Sequence, residues 1–321
     1  MARDPAPDAL TPFTPDTVTA PGPDTDATPE GYLVTAPDGT RIHFLDWGGV
    51  GAPGVVLVPG LLEPASSWAP VARRLARARR TVVADLRGQG LSDAPPGGYD
   101  LDALAADIVL VAEGSGALDG GPVVLAGHGF GGQVAARAAV MLGASCAGLV
   151  LVDGGWERLE TTTDLAVDEF LRGLDEPPEV LRTMGAWLAD RRAFDPATWD
   201  VDQERAARDA VVETAAGHLL RAVRPHVVDA MVRTMFACDP AVVLASLGAP
   251  VTALVALGAG DPGARLAELR RTGDARAAAG HGPIRVAGFA GASHNLARYR
   301  PADVTASILD AAGDPGAATG L

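Results

Sequence analysis

The sequence contains no lysine and only two cysteines, and no apolar run in it reaches the length of a membrane span. Its 26 basic residues are therefore all arginine, and with 40 acidic residues they give a formal net charge of −14 at pH 7. An acidic chain without a basic cluster is not expected to bind nucleic acid or an anionic membrane. The two cysteines, Cys146 and Cys238, are too few for a disulfide framework and are expected to be small buried hydrophobic residues.

The beginning of the chain also lacks the apolar core of a signal peptide, so a cytoplasmic location is expected. Residues 1–30 are rich in Pro, Thr, Asp and Ala and carry few large apolar side chains, a composition typical of a disordered tail. The last residues, 313–321, are expected to be disordered as well. Of all residues, 48% are hydrophobic, which is enough for a sizeable core between the two tails.

Apolar runs typical of buried strands alternate with helical patterns over most of the remaining chain. Val55–Val58 and Leu149–Val152 are two such runs. The alternation predicts a mostly parallel sheet with helices on both of its faces. It stops in one long segment where the apolar spacing is helical throughout. We therefore expect an α/β core made of residues 31–153 and 239–312, interrupted by an all-helical cap of residues 154–238.

A strand, a glycine-rich turn and a helix follow one another within residues 122–143. The turn has the sequence GHGFGG, and two known motifs share its spacing. One is the nucleophile elbow G-x-S-x-G, in which the central residue attacks the substrate. The other is the dinucleotide fingerprint G-x-G-x-x-G, which Gly127, Gly129 and Gly132 satisfy.

The dinucleotide interpretation gains support from Asp153. This residue lies about 20 positions beyond the last glycine, where a ribose-binding carboxylate is found in that motif. The interpretation predicts an NAD(P)-binding oxidoreductase. It gives no role to several other segments at strand ends, so it is kept as the less favoured alternative.

Five segments near strand ends resemble those of the α/β-hydrolase superfamily, and they occur in the order that the family shows. They are similar to the family's oxyanion loop, its D-x-R-G-x-G-x-S turn, its nucleophile elbow, its acid turn and its histidine loop. In this sequence they read LVPGLLEPASSW, VVADLRGQGLSD, LAGHGFGG, VTALVALGAGD and GASHNLARYRPADV. The resemblance covers roughly residues 32–312 and points to cap-bearing members that are similar to epoxide hydrolases and esterases.

The resemblance implies the α/β-hydrolase fold, with a mostly parallel eight-stranded sheet, helices on both faces and a helical cap. It implies that His294 is the catalytic histidine and that Asp261 is the acid that orients it. It also implies an oxyanion site formed by the backbone N–H groups of Leu61 and Phe130, with Gly60 in the same loop.

The nucleophile position of this elbow is Gly129, which has no side chain, so an acyl-enzyme is excluded on chemical grounds. We expect an enzyme acting on a small, largely apolar carbonyl or ester-type substrate, with His294 as a general base oriented by Asp261. Asp153 ends a different strand and is an alternative partner for His294. A second hypothesis is a catalytically inactive protein that binds a small apolar ligand between cap and core. Neither hypothesis requires a metal or a cofactor, and the histidine spacing does not predict a zinc site.

Overall fold

A computed structural model of the chain describes residues 10–12, 28–163, 165–174, 183–258 and 261–313. The rest of the two predicted tails lies outside these ranges. Within the first tail the structure contains a short strand, so the prediction that the whole of this segment is disordered is wrong. The strand adds to the edge of the main sheet, whose unpaired backbone groups can bind an additional strand.

The described residues form eleven strands, nine of which belong to one sheet. In chain order the strands are β1 Leu10–Pro12, β2 Glu30–Thr35, β3 Arg41–Asp46, β4 Gly54–Val58, β5 Thr81–Ala84, β6 Val123–His128, β7 Cys146–Val152, β8 Val211–Glu213, β9 Leu219–Arg221, β10 Val251–Ala256 and β11 Ile284–Phe289. The order across the sheet is β1-β11-β10-β7-β6-β4-β5-β3-β2. Among the described strands of this sheet, only the pairs β2–β3 and β3–β5 are antiparallel. The predicted eight-stranded, mostly parallel sheet is confirmed, and β1 adds a ninth strand to it.

Helices cover both faces of this sheet. In chain order they are α1 Ala69–Leu75, α2 Leu101–Gly114, α3 Phe130–Leu142, α4 Leu159–Thr162, α5 Val167–Leu174, α6 Met184–Phe194, α7 Val201–Asp209, α8 Pro225–Ala237, α9 Pro240–Ala245, α10 Pro262–Ala278, α11 Leu296–Tyr299 and α12 Pro301–Ala311. Among these described helices, none combines the length and the apolar composition needed to cross a bilayer.

Two hydrophobic layers enclose the sheet because the side chains of each strand alternate between its faces. In β6, Val123 and Leu125 join the layer that includes residues of α2 and α3. The intervening Val124 and Ala126 join the layer that includes residues of α1 and α12. A strand buried on both faces reads as a continuous apolar run, which explains why the central strands could be recognised in the sequence.

The segment predicted to be an all-helical cap contains α4 to α8 but also an antiparallel hairpin of β8 and β9. The prediction is therefore wrong on this point. Val211 and Leu219, one from each strand, are buried against Trp187 of α6. Strands of three residues are too short to produce an alternating pattern that stands out from the surrounding helices.

Candidate active site

The turn between β6 and α3 has the geometry of a nucleophile elbow. Its central residue, Gly129, has φ 53° and ψ −119°, angles that are unfavourable for a residue with a side chain. The Gly129 N–H donates a hydrogen bond to the carbonyl oxygen of Val152 at the end of β7, at 3.1 Å. The turn is thus fixed to the neighbouring strand, and α3 begins directly after it.

The open side of this turn faces His294. A Cβ atom placed on Gly129 would lie 3.2 Å from Nε2 of His294 and 3.6 Å from its Cε1. The histidine lies between β11 and α11, and 58% of its side chain is exposed. The structure therefore brings the predicted nucleophile position and the predicted histidine together.

The acid that contacts His294 is Asp153, not Asp261. Nδ1 of His294 donates a hydrogen bond to Oδ2 of Asp153 at 2.7 Å. Asp153 follows directly after β7, is completely buried, and has a positive φ of 46°. Because β7 is the neighbour of β6 in the sheet, an acid at its end lies one strand away from the elbow.

Asp261 has a different position in the structure. Its carboxylate is exposed and caps α10, where Oδ1 accepts hydrogen bonds from the N–H groups of Gly263 and Ala264 at 2.8 and 3.3 Å. The prediction that Asp261 orients His294 is therefore wrong. A carboxylate in the N-cap position satisfies helix N–H groups that have no partner within the helix.

The position of Asp153 also removes the support for a dinucleotide site. Its carboxylate has no exposed surface and accepts hydrogen bonds from His294, from the Ala256 N–H at 2.7 Å, and from Arg265. A carboxylate that binds a ribose must be reachable by the two sugar hydroxyls. The spacing that suggested an NAD(P)-binding oxidoreductase is thus a coincidence of sequence.

Arg265 of α10 holds two buried acids together, and sequence reasoning did not find it. Its Nη2 donates to Oδ1 of Asp153 at 2.9 Å, its Nε contacts Glu157, and its Nη1 donates to the carbonyl oxygen of Ala256 at 3.1 Å. Burial raises the pKa of Asp153, but the hydrogen bond with His294 and the charge of Arg265 outweigh it and hold this pKa below its ordinary value. Burial dominates at Glu157 and raises its pKa. The acid on His294 is therefore kept ionised.

The predicted oxyanion loop is fixed by a side chain from the turn after β5. Gln89 is buried; its Nε2 donates to the carbonyl oxygen of Gly60 at 3.1 Å, and its Oε1 accepts from the Leu62 N–H. Among the described residues, none accepts a hydrogen bond from the Leu61 N–H. Phe130 is the first residue of α3, so its N–H has no partner within the helix. Both predicted donors are thus available for a ligand oxygen.

A partly buried ion pair connects this loop to the elbow and to the histidine loop. Nδ1 of His128 donates to Glu63 at 2.9 Å, and its Nε2 donates to the carbonyl oxygen of His294 at 3.1 Å. An imidazole that donates from both nitrogens is protonated. Burial lowers the pKa of His128, but the charge of Glu63 has the larger effect, so the pKa of His128 is raised. Burial raises the pKa of Glu63, but the charge of His128 and the hydrogen bonds to the carboxylate have the larger effect, so the pKa of Glu63 is lowered.

This Glu63–His128 pair is expected to stabilise the fold most at mildly acidic pH. Because the pKa of His128 is raised by folding, its contribution is complete below the ordinary histidine pKa and is lost as pH rises through the folded pKa. Because the pKa of Glu63 is lowered, its contribution is present above the ordinary carboxyl pKa and is lost as pH falls through the folded pKa. The contribution is therefore greatest between about pH 4.3 and about pH 6.5.

Urea unfolding of the protein and of a His128→Asn variant, measured from about pH 5 to about pH 9, checks this expectation. The difference between their free energies of unfolding should narrow as pH rises, because only the parent loses the pair. A difference that stays constant over this range would contradict a charged His128.

A cavity of about 390 Å³ opens above the elbow. Its walls combine apolar side chains of the cap with polar groups of the core, among them Phe130, Gln133, Glu157, Phe170, Met235 and His294. A mostly apolar pocket with a few convergent polar groups is typical of a small-molecule site. The cavity therefore has the size and the lining of a site for a small organic molecule.

Gln133 is an unexpected polar residue in this wall. It lies one turn into α3 and is only 4% exposed, and its Oε1 has no hydrogen-bond partner among the described residues. Buried polar atoms in folded proteins are nearly always paired, so this unpaired oxygen is an exception to the usual pattern. The only hint of this residue in the sequence is that a glutamine lies beside the apolar face of the helix that follows the elbow.

Replacing Gly129 by alanine is expected to destabilise the protein by about 1–3 kcal/mol, because its backbone angles are unfavourable for a residue with a Cβ. Gly143, at the other end of α3, provides a matched control, since its φ of 55° and ψ of −119° are nearly the same and a Cβ there would meet no atom within 4 Å. Urea unfolding of Gly129→Ala and Gly143→Ala should show similar losses in the free energy of unfolding. Any additional loss in Gly129→Ala measures the contact of the new methyl group with His294. A neutral Gly129→Ala would contradict the strained backbone described here.

Comparisons with known proteins agree with this fold. A sequence model of the alpha/beta hydrolase family matches residues 55–308. N-formylmaleamate deformylase of Pseudomonas putida is 44% identical over 117 residues, which are 36% of this chain and 42% of that protein. Non-heme chloroperoxidase of Streptomyces lividans is 38% identical over 105 residues, which are 32% of this chain and 37% of that protein. The matches thus span less than half the length of these two relatives.

Among solved structures, that of E-2-(acetamidomethylene)succinate hydrolase superposes with a TM-score of 0.71 and covers 89% of this chain and 100% of the other. The two sequences are 19% identical, so this likeness concerns the fold alone. The family match covers most of the sheet, the elbow and the histidine loop. The chain therefore belongs to the alpha/beta hydrolase family.

Proposed function

We propose that the protein hydrolyses a small carbonyl compound by direct attack of water, with His294 as the general base and Asp153 as the residue that orients it. The observation that best supports this proposal is the distance of 3.2 Å between Nε2 of His294 and a Cβ atom placed on Gly129. The nitrogen that would activate a serine hydroxyl therefore faces a space where a water molecule can take the place of that hydroxyl.

The chemistry follows from the protonation state of the imidazole. Nδ1 keeps its proton in the bond to the ionised Asp153, so Nε2 carries a lone pair and can accept a proton from water. The water oxygen bonds to the carbonyl carbon, and the electrons of the C=O bond move to its oxygen. The N–H groups of Leu61 and Phe130 donate to that oxyanion. When the tetrahedral intermediate collapses, His294 returns the proton to the leaving alcohol or amine.

The name of one relative narrows the class of substrate to test. The name of the Pseudomonas relative specifies removal of a formyl group from an N-formyl compound. N-formyl amides and small esters are therefore the substrates to test first.

The test compares the parent with His294→Gln and Gly129→Ser. Each protein is assayed with 4-nitrophenyl acetate and an N-formyl amide, and treated with a fluorophosphonate that labels serine nucleophiles. The parent should hydrolyse at least one substrate without being labelled, and His294→Gln should lose that activity by about 10²–10⁴-fold. Gly129→Ser should become labelled, because its hydroxyl lies next to His294. A parent that is inactive, together with an active Gly129→Ser, would instead support a ligand-binding protein.

A further inference from the structure

The charged side chains that line the cavity above the elbow are unevenly divided between the two signs. Its described lining residues include three carboxylates, those of Asp153, Glu157 and Asp261, and one guanidinium, that of Arg265. Apolar side chains of the cap form much of the remaining wall. Charges act more strongly beside an apolar wall than in water, and a cleft focuses the field of the charges that line it. We therefore expect a negative potential inside this cavity.

The protein itself engages Arg265 on every side. All three of its nitrogens donate to groups of the core: Nε to Glu157, Nη2 to Asp153 at 2.9 Å, and Nη1 to the carbonyl oxygen of Ala256 at 3.1 Å. Its guanidinium also lies over the ring of Trp156, 5.5 Å from the centroid, and only 11% of its side chain is exposed. A carboxylate of a ligand would have to displace one of these partners before it could pair with Arg265.

Asp153 and Glu157 share this one cation, so the cluster of three side chains carries an uncompensated negative charge. Burial raises the pKa of Glu157 although the charge of Arg265 lowers it, so even this paired carboxylate is ionised at a cost. The Glu157 side chain is 12% exposed and lines the cavity, which places the excess charge in the cavity wall. A second carboxylate brought against this wall would meet a like charge in surroundings of low dielectric.

The predicted oxyanion site does not offset this excess for an anionic substrate. The N-terminus of α3 and the N–H groups of Leu61 and Phe130 supply positive potential at one point of the cavity. The carbonyl oxygen of the substrate binds at this point and becomes negative during the reaction. Any further negative charge on the substrate would lie elsewhere in the cavity and would be repelled by the acids.

We propose that the cavity above the elbow admits uncharged acyl compounds and excludes those that carry a carboxylate, and that Glu157 determines this selectivity. The selectivity rests on the function proposed above, because it takes this cavity to be the substrate site. The same charges act on the product, since hydrolysis converts the acyl group into an acid that is ionised at neutral pH. Repulsion favours the departure of this product, and inhibition by it should be weak.

Two ligands of nearly the same shape test the selectivity, the uncharged 4-acetamidobenzamide and the anion 4-acetamidobenzoate. Their binding to the parent is measured by titration calorimetry in low salt at about pH 8, where carboxylates are more fully ionised. The amide should bind at least about 10-fold more tightly than the carboxylate, and added salt should narrow the difference because it screens like charges. Equal binding, tighter binding of the carboxylate, or no binding of the amide would overturn the proposal.

The role of Glu157 is tested with Glu157→Gln, which should reduce the preference for the amide by about 3-fold or more. The reason is that Arg265 then pairs with a single acid, and the excess negative charge is removed. Glu160→Gln is the matched control, since Glu160 is 54% exposed, pairs with Arg158 and is not among the described lining residues. It should keep the preference of the parent. An undiminished preference in Glu157→Gln, or a reduced one in Glu160→Gln, would contradict the role of Glu157.

These experiments measure binding and not turnover, so their result is independent of the hydrolase assay. A protein that hydrolyses neither test substrate but prefers the amide would contradict the proposed hydrolysis and support the selectivity. A protein that hydrolyses an N-formyl amide but binds both ligands equally would support the hydrolysis and overturn the selectivity.

Discussion

Replacing Asp153 with asparagine is expected to lower kcat by up to about 10⁴-fold while leaving the fold intact. An asparagine at this position can still accept hydrogen bonds from Arg265 and from the Ala256 N–H through Oδ1. Its Nδ2 is a donor, so it faces Nδ1 of His294 with a hydrogen and favours the tautomer that carries the proton on Nε2. That tautomer cannot accept a proton from water, and general-base catalysis is lost.

The matched control for this variant is Asp261→Asn, because the sequence predicted the same role for both acids. Asparagine is as good an N-cap as aspartate, so this change should leave both kcat and the free energy of unfolding close to those of the parent. The measurement is steady-state kinetics on the substrate that the parent hydrolyses. A large loss of kcat in Asp261→Asn with a small one in Asp153→Asn would reverse the assignment of the acid.

Replacing Arg265 with methionine is expected to lower the free energy of unfolding by about 3–5 kcal/mol. The side chains of Asp153 and Glu157 are 0% and 12% exposed, so removal of the cation leaves two buried carboxylates without their partner. Their mutual repulsion then adds to the cost of burial. Adding Glu157→Gln to Arg265→Met should recover part of the loss, because one of the two charges is removed.

Arg271→Met is the control on the same helix. Arg271 pairs with Asp239 at 2.8 Å and with the mostly buried Glu268 at 3.0 Å, but the Arg271 side chain itself is 39% exposed; water therefore screens both pairs, and each contributes less than about 1 kcal/mol. Urea unfolding of both variants at neutral pH gives the comparison. The proposal that the cation holds the buried cluster together would be contradicted by equal losses in the free energy of unfolding for Arg265→Met and Arg271→Met. It would also be contradicted if adding Glu157→Gln to Arg265→Met gave no gain in stability over Arg265→Met alone.

The fold could be predicted from the sequence because its central strands are buried on both faces. Continuous apolar runs marked these strands, and the order of the glycine-rich turns between them identified the sheet and the elbow. The hairpin in the cap could not be predicted, because Val211–Glu213 and Leu219–Arg221 are too short to show a period. Likewise, β1 owes its conformation to pairing with β11, which no local pattern reveals.

The choice between two acids shows a limit of reasoning from chain order. Asp153 and Asp261 each follow a strand whose carboxyl end lies at the same edge of the sheet. The two acids differ in the backbone conformation that follows the strand. Asp153 has a positive φ and a buried carboxylate, whereas Asp261 is the N-cap residue of α10. Glu63 and Arg265 escaped detection for a related reason, since each contacts a segment that is distant in sequence.

The missing side chain at the elbow also has a kinetic consequence. A serine enzyme of this fold reacts in two chemical stages, and the first product leaves before the second is formed. If water attacks directly, both products form when a single tetrahedral intermediate collapses, so rapid-mixing experiments should show no initial burst of nitrophenol. Added methanol could not divert a covalent intermediate into a methyl ester, because no such intermediate would exist to be trapped.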